Sequence, residues 1–366
     1  MDSRSKTPVQ DLRVSTYIIP TESHESDGTL DWNRTVLVLV TTKAAGKLGI
    51  GYTYADESTA ALIHHSLAKL VIGQNALDIP TIWAKLRHQI RNLGRPGIVS
   101  MAMAAVDNSL WDLKAKLLNL PLAKLLGQVR DGVPVYGSGG FTSYSVDRLQ
   151  EQLAGWAQRG IRMVKMKVGT RPEEDVNRVR AARQAIGRDV KLFVDANGAY
   201  TRKQALEKAE QFAEFNVTWF EEPVSSDDLE GLRLMRDRAP AGMAIAAGEY
   251  GYDLPYFQRM LQVEAVDVLQ ADATRCAGIS EFVRVGALAE AFAIPFSAHT
   301  APSIHLHACC SLNNLRHIEY FYDHVRIERI LFEGAIDPVN GVLHPDLSRP
   351  GIGLELKERD ARKFAA

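Results

Sequence analysis

The stretch MVKMKVG (163–169) places two lysines one residue apart in an otherwise apolar run. Alternate side chains of a β-strand share a face, so Lys165 and Lys167 point one way while Val164, Met166 and Val168 point the other. If the lysine face is buried, two ammonium groups share a low-dielectric space and need carboxylates or a bound anion to compensate them. Asp195, Glu221, Glu249, Asp272, His299 and Glu319 each stand at or just past the end of a later apolar run. Three of them, Asp195, Glu221 and Glu249, come from successive runs. Adjacent carboxylates repel unless a cation lies among them, and all-oxygen ligation favours Mg2+, which keeps positions for water or substrate. Three separate salt bridges to arginines are the bland alternative. Glu222 alternates to the other face and reads as a structural partner rather than a ligand.

Asp272 and His299 end neighbouring runs. A carboxylate beside an imidazole orients the ring, selects its tautomer and raises its basicity. Lys165, together with a metal, would lower the pKa of Lys167 toward the range where a neutral amine acts as a base. A lysine on one side and a histidine on the other suit removal of a proton α to a carboxylate. The dianionic aci-carboxylate so formed needs stabilisation, which the metal, Lys165 and a protonated Glu319 would supply. His305 and His307 follow on a helix and are read as taking no part in the chemistry.

The elements that must position these groups fall into two grammars. Residues 12–19, 34–42 and 48–54 alternate like antiparallel strands, followed by helical patterns over 57–72, 82–93 and 100–118, so residues 1–130 form an α+β unit. The polar linker 21–33 is either a disordered excursion or a loop that closes over something polar. From Val133 apolar strands alternate with amphipathic helices. Strand candidates are 133–137, 163–168, 191–195, 218–221, 244–249, 266–272, 295–299 and 316–320, with helices such as 173–186, 202–215, 229–236 and 279–292 between them. Eight such units predict a (β/α)8 barrel over 131–336, whose strand ends converge on one mouth. An open doubly wound sheet is the alternative, but no GxGxxG or P-loop pattern accompanies it. Residues 337–366 are too irregular for a further unit and are expected to return to the first domain.

At 366 residues, with 46% hydrophobic and 24% charged residues, the chain has the composition of a globular protein with a large core. A net charge of −1 gives no electrostatic reason to expect nucleic acid or an anionic membrane as a partner. Cys276, Cys309 and Cys310 form no metal-type spacing and fit a reduced setting, the adjacent pair reading as core. The first residues lack an apolar secretory core and no window is long and apolar enough to span a membrane, so a cytoplasmic location is expected.

With these residues in view, the chain closely resembles the enolase superfamily and, within it, the mandelate racemase subgroup. The likeness covers nearly the whole length: AMAAVDNSLWDLKAKLLNLPLAKLLG (102–127), the K-x-K at Lys165 and Lys167, VDANGAY, WFEEPV, AAGEY, DVLQADATRCAGIS and SAHTAPSIH. It implies that Asp195, Glu221 and Glu249 hold Mg2+, that Lys167 is one base and His299 with Asp272 the other, and that Glu319 is the electrophile. Lys165 and Asn197 would contact the substrate carboxylate. A Lys or His base with Mg2+ is the general pattern of that superfamily. The resemblance also implies an N-terminal domain that caps the mouth, a substrate-selecting loop at 21–33, and a homo-oligomer. The loop offers Glu22, His24, Glu25, Asp27 and Asp31, assisted by Tyr52, Tyr54 and Asp56. Such polar groups favour a polyhydroxylated acid over an aryl one, with His24, Tyr54 and Tyr250 as substrate-facing candidates. Tyr250 stands where the subgroup often has histidine or asparagine, and Ala277-Gly278 where Gly-Gly is common. The expected reaction is dehydration of an aldonic or aldaric acid to a 2-keto-3-deoxy acid. Racemisation, epimerisation or lactone cycloisomerisation would use the same base pair. A Schiff-base aldolase or a non-catalytic sugar-acid binder are the readings from other classes.

Overall fold

The computed structural model describes residues 6–366; residues 1–5, part of the N-terminal stretch read above for a signal, lie outside the described residues. Strands β1 (Asp11–Ser26), β2 (Asp31–Ala44) and β3 (Lys47–Tyr54) form an antiparallel meander. The run VLVLV in β2 is apolar on both faces because each face meets a different core. Val38 and Val40 pack within the N-terminal unit, and Leu37 and Leu39 join the core shared with the barrel.

The expected linker at 21–33 is instead an extension of this hairpin. β1 continues to Ser26 and β2 starts at Asp31, with a register shift between Pro20 and Glu25. Proline has no N–H for the ladder, so the pairing breaks at Pro20 and resumes at Glu25 with Trp32. Apolar alternation cannot reveal such a segment, because it lies over a polar mouth.

Eight parallel strands follow: β4 (Val133–Gly139), β5 (Met163–Lys167), β6 (Lys191–Asp195), β7 (Val217–Glu221), β8 (Ala244–Ala247), β9 (Val268–Ala271), β10 (Phe296–Ala298) and β11 (Leu315–Phe321). They pair in chain order, and β11 pairs back with β4, Glu319 opposite Tyr136, so the sheet closes into a barrel. The helices between them start with ordinary signals: Pro172 opens helix Pro172–Ile186 above Glu173, Glu174 and Asp175, and Thr201 with Gln204 makes a capping box.

Two-residue periodicity sorts the barrel interior into layers. Phe193, Trp219 and His317 lie two residues before Asp195, Glu221 and Glu319, and with Tyr136 they form an aromatic floor; Phe193 stacks on Trp219 at 5.2 Å and meets Tyr136 edge-on at 5.4 Å. Each such contact contributes about 0.5–1.5 kcal/mol beyond its buried area. The ionisable layer therefore rests on a rigid apolar base.

The C-terminal stretch runs back under both units. β12 (Val342–Leu343) pairs antiparallel with β4, Gly351 bridges Pro121, and the Ala366 amide donates to the Thr16 carbonyl.

Candidate active site

Helix Ile98–Leu117 of the N-terminal unit reaches the barrel through consecutive polar residues. Asp107 accepts from the Ser280 amide at 2.8 Å, and Asn108 both accepts from the Ile279 amide (3.0 Å) and donates to the Ala273 carbonyl (3.1 Å). These bonds cap the first turn of helix Ile279–Ala291 and fix the turn that carries Asp272. Thr274 tightens the same turn, its amide and hydroxyl donating to Asp272 Oδ1 at 2.6 and 2.7 Å.

At the strand ends, Asp195, Glu221 and Glu249 each bring a carboxylate oxygen within 4.8 Å of the others. Gly248, at φ +133°, lets the chain turn so that Glu249 enters the group; a Cβ there would lie 2.0 Å from the Gln270 carbonyl. Lys165, wholly buried, reaches Asp195 (3.0 Å), Glu319 (2.9 Å) and Glu221. Lys167 donates to Asp195 (2.6 Å) and to the Asn197 side-chain carbonyl (3.0 Å). Across the mouth, His299 Nδ1 is 2.8 Å from Asp272, while its Nε2 lies 3.2 Å from Glu249 and 3.6 Å from Glu319. Just beyond the strand ends, Asn197, Glu222, Thr300 and Ala301 all have φ between 38° and 48°. Backbone held in that region is strained and is tolerated where the surroundings over-determine it, commonly at functional sites.

Burial and mutual repulsion decide the charges. Burial, then the Asp195 charge, pushes Glu221 well above the usual carboxylate range, whereas Lys165 and Lys167 outweigh burial at Asp195 and hold it below. Burial disfavours the Lys165 ammonium, but Asp195, Glu221 and Glu319 overcome it and hold it well above the ordinary lysine range. Glu249 Oε2 is buried and accepts no well-formed hydrogen bond, its near polar neighbour being His299 Nε2 at 3.2 Å. Crowded carboxylates with an unsatisfied buried oxygen are a donor set that fits a hard divalent cation.

At two groups the neighbouring side chains by themselves act against the expected protonation. At Lys167, burial and Lys165 both act downward, but the Asp195 carboxylate outweighs them, so the amine is held above its usual range. At Glu319 burial acts upward, but Lys165 and His299 bring the carboxyl down to about 2, and it accepts from Ser138 (2.5 Å) and the Thr300 amide (3.2 Å). Both departures have one cause, the sharing of two buried ammonium groups among the strand-end carboxylates.

Among the substrate-facing candidates, Asn197 stands beside Lys167, and Tyr250 lies under the Arg275 guanidinium at 5.0 Å. Tyr54 stacks on His324 with ring centroids 3.5 Å apart. His24 does not join them. Its side chain is 57% exposed and faces Asp31 at 3.5 Å, because the register shift turns Glu25, not His24, inward. Tyr52 is buried and donates to Glu328 at 2.6 Å, and Asp56 caps a turn at Ser58. His305 and His307 are engaged by backbone groups, and the three cysteines are buried and free. Glu222 is buried with Oε1 unpartnered and stands outside the carboxylate group.

The hairpin tip seals the mouth. The Asp27 carbonyl accepts from Thr142 at 2.8 Å and from Thr170 at 2.5 Å, and Gly28 lies so close to the barrel that a Cβ would meet the Ala196 carbonyl at 2.1 Å. Arg275 escaped the sequence reading. Three residues after Asp272, it reaches Glu249 (3.4 Å) and Asp272 (3.7 Å), and its only sequence signal is an arginine one turn past a strand-end carboxylate.

A barrel whose mouth holds a carboxylate group between a lysine and a carboxylate-paired histidine, under an antiparallel cap, defines a class of acid/base enzyme. Residues 13–127 match the family described as "Mandelate racemase / muconate lactonizing enzyme, N-terminal domain", and residues 148–361 match "Enolase C-terminal domain-like". The chain belongs to this family of the enolase superfamily, and so to its lyases and isomerases. It is 32% identical over 320 residues to L-talarate/galactarate dehydratase of Salmonella typhimurium, covering 86% of this chain and 78% of that one. A mandelate racemase/muconate lactonizing enzyme-like protein from Rubrobacter xylanophilus superposes with a TM-score of 0.96 at 55% identity, over 98% of this chain and 100% of that one. A racemase from Streptomyces coelicolor, solved with bound magnesium, gives 0.92 at 30% identity, with coverage of 98% and 100%.

Proposed function

We propose that the chain removes the proton α to the carboxylate of an acid sugar in a Mg2+-dependent reaction, and that the outcome is loss of the β-hydroxyl to give a 2-keto-3-deoxy acid. One observation carries the reading: Lys167, the last residue of β5, and His299, the residue just past β10, touch different members of one carboxylate group, Asp195 and Glu249. Asp195, Glu221 and Glu249 would hold the cation. When bound, it supplies a Lewis acid for the substrate carboxylate and charge that offsets the surrounding anions.

The chain's own residues account for the remaining work. Asp272, fixed by Thr274, holds the His299 ring by Nδ1 and leaves Nε2 facing the mouth, where it takes or returns a proton. Lys167 faces the same space from the other side. Lys165 sits over the Tyr136 ring at 5.4 Å, held from below, and keeps a positive charge where the substrate carboxylate gains negative charge. The sealed hairpin excludes water from this step.

The dehydratase outcome draws support from the named activity of the Salmonella relative and from the polar hairpin. Racemisation or cycloisomerisation would use the same pair of groups with nothing lost. Incubation of the chain with Mg2+ and a library of acid sugars, with semicarbazide detection, tests the choice. A keto product supports dehydration, whereas α-deuterium wash-in with no keto product favours racemisation.

A further inference from the structure

His324 lies at the start of helix Tyr322–Leu331, directly after the strand that carries Glu319. Its ring is parallel to that of Tyr54, within 10°, with centroids 3.5 Å apart, so the barrel and the N-terminal unit meet here as a stacked pair. His324 is only 8% exposed, yet its Nδ1 has no hydrogen-bond partner, and neither has the buried Tyr54 hydroxyl. Two orphaned polar atoms on adjacent buried rings are costly unless something else satisfies them. His324 stands three residues past the C-terminal end of the strand that carries Glu319, the end that faces the mouth, and His299, Asp272, Arg275 and Glu319 are the charged groups that act on its ring.

The cations nearby are committed. Lys165 and Lys167 bond to strand-end carboxylates, Arg275 to Glu249 and Asp272, and Arg326 to Asp323 and the Pro20 carbonyl. Asp27 at the hairpin tip adds negative charge felt by Lys167 and Tyr250. A second substrate carboxylate would therefore arrive desolvated and without a free cation. A hydroxyl meets no such penalty, since a neutral imidazole and a phenol both donate and accept. Burial holds His324 well below the usual imidazole range, which keeps that ring neutral.

We infer that His324 and Tyr54 receive the end of the substrate remote from its carboxylate, and that this end is an uncharged hydroxymethyl or hydroxyl group. The chain then takes aldonic rather than aldaric acids. The inference rests on the acid-sugar reading above and narrows it.

The test is calorimetric titration of the full chain carrying Lys167→Ala, saturated with Mg2+, against aldonates and aldarates of matched configuration. Aldonates are expected to bind at least about tenfold more tightly, one well-formed hydrogen bond's worth of discrimination. His324→Phe on that background keeps the stack but removes the polar atoms, and should erase most of the preference. His324→Gln should retain it. Equal or tighter aldarate binding, binding of neither class, or a preference unchanged in the Phe variant would overturn the assignment. Failure of the reaction itself reads out separately: wild type would bind aldonates tightly yet exchange no α-proton and release no keto acid, which supports the subsite and sinks the chemistry.

Discussion

In the proposed reaction Lys167 and His299 would divide the proton work between two faces of one carbon. Lys167→Ala and His299→Ala are each expected to lower kcat by at least about a hundredfold, as loss of a positioned acid/base group does. Their circular dichroism should match wild type, and an active Lys167→Ala and His299→Ala pair would remove both from the chemistry. Glu221→Gln is expected to weaken Mg2+ binding at least about tenfold by calorimetry, because one charged oxygen ligand is lost from the group; unchanged affinity would place the cation elsewhere. Most of this layer is legible in the sequence, since each group ends an apolar run and period-two alternation assigns it a face. Protonation is less legible. The downward pull on the Glu319 carboxyl comes from Lys165 standing 2.9 Å away, a distance that no pattern encodes. His324 is hidden for a related reason: in FYDHV nothing marks it apart from an ordinary helical histidine, and only the stack with Tyr54 reveals its place.

Strands and helices of the barrel are readable because their hydrophobic periods are strong, while the hairpin is not, because both its faces are polar or semi-polar. Its tip is the element that closes the site, so Gly28→Ala should lift it. With a Cβ 2.1 Å from the Ala196 carbonyl the tip cannot seat, and KM is expected to rise about tenfold with Tm nearly unchanged; an unaltered KM would separate the hairpin from substrate. Glu25 gives a second test of the same element. It is fully buried, bonds Trp32 through Oε2 at 3.0 Å and leaves Oε1 unpartnered. Burial, aided by Asp323, raises its carboxyl from 4.5 to about 8, so the folded chain keeps a proton that the unfolded chain loses between those values. The stability it confers is full below about pH 4.5 and declines as pH rises toward 8. Glu25→Gln cannot ionise and should decline less, standing several degrees above wild type in Tm at pH 8. Parallel melting curves for the two proteins across pH 5–8 would contradict this.

At the scale of the whole molecule, a cap and a barrel share one purpose, to hold a charged layer between an aromatic floor and a sealed lid. No helix among the described residues is long and apolar enough to cross a membrane. The N-terminal unit is tied to the barrel through Asp107 and Asn108, so the mouth is built from both units rather than from the barrel alone. The most direct measurement of the central claim is α-hydrogen exchange in D2O, followed by NMR on an acid sugar, with Mg2+ and with excess EDTA. Deuterium should enter the α-position, or appear with the keto product, only when Mg2+ is present, and Lys167→Ala with His299→Ala should abolish it. Exchange that persists under EDTA, or in the double variant, would contradict the account.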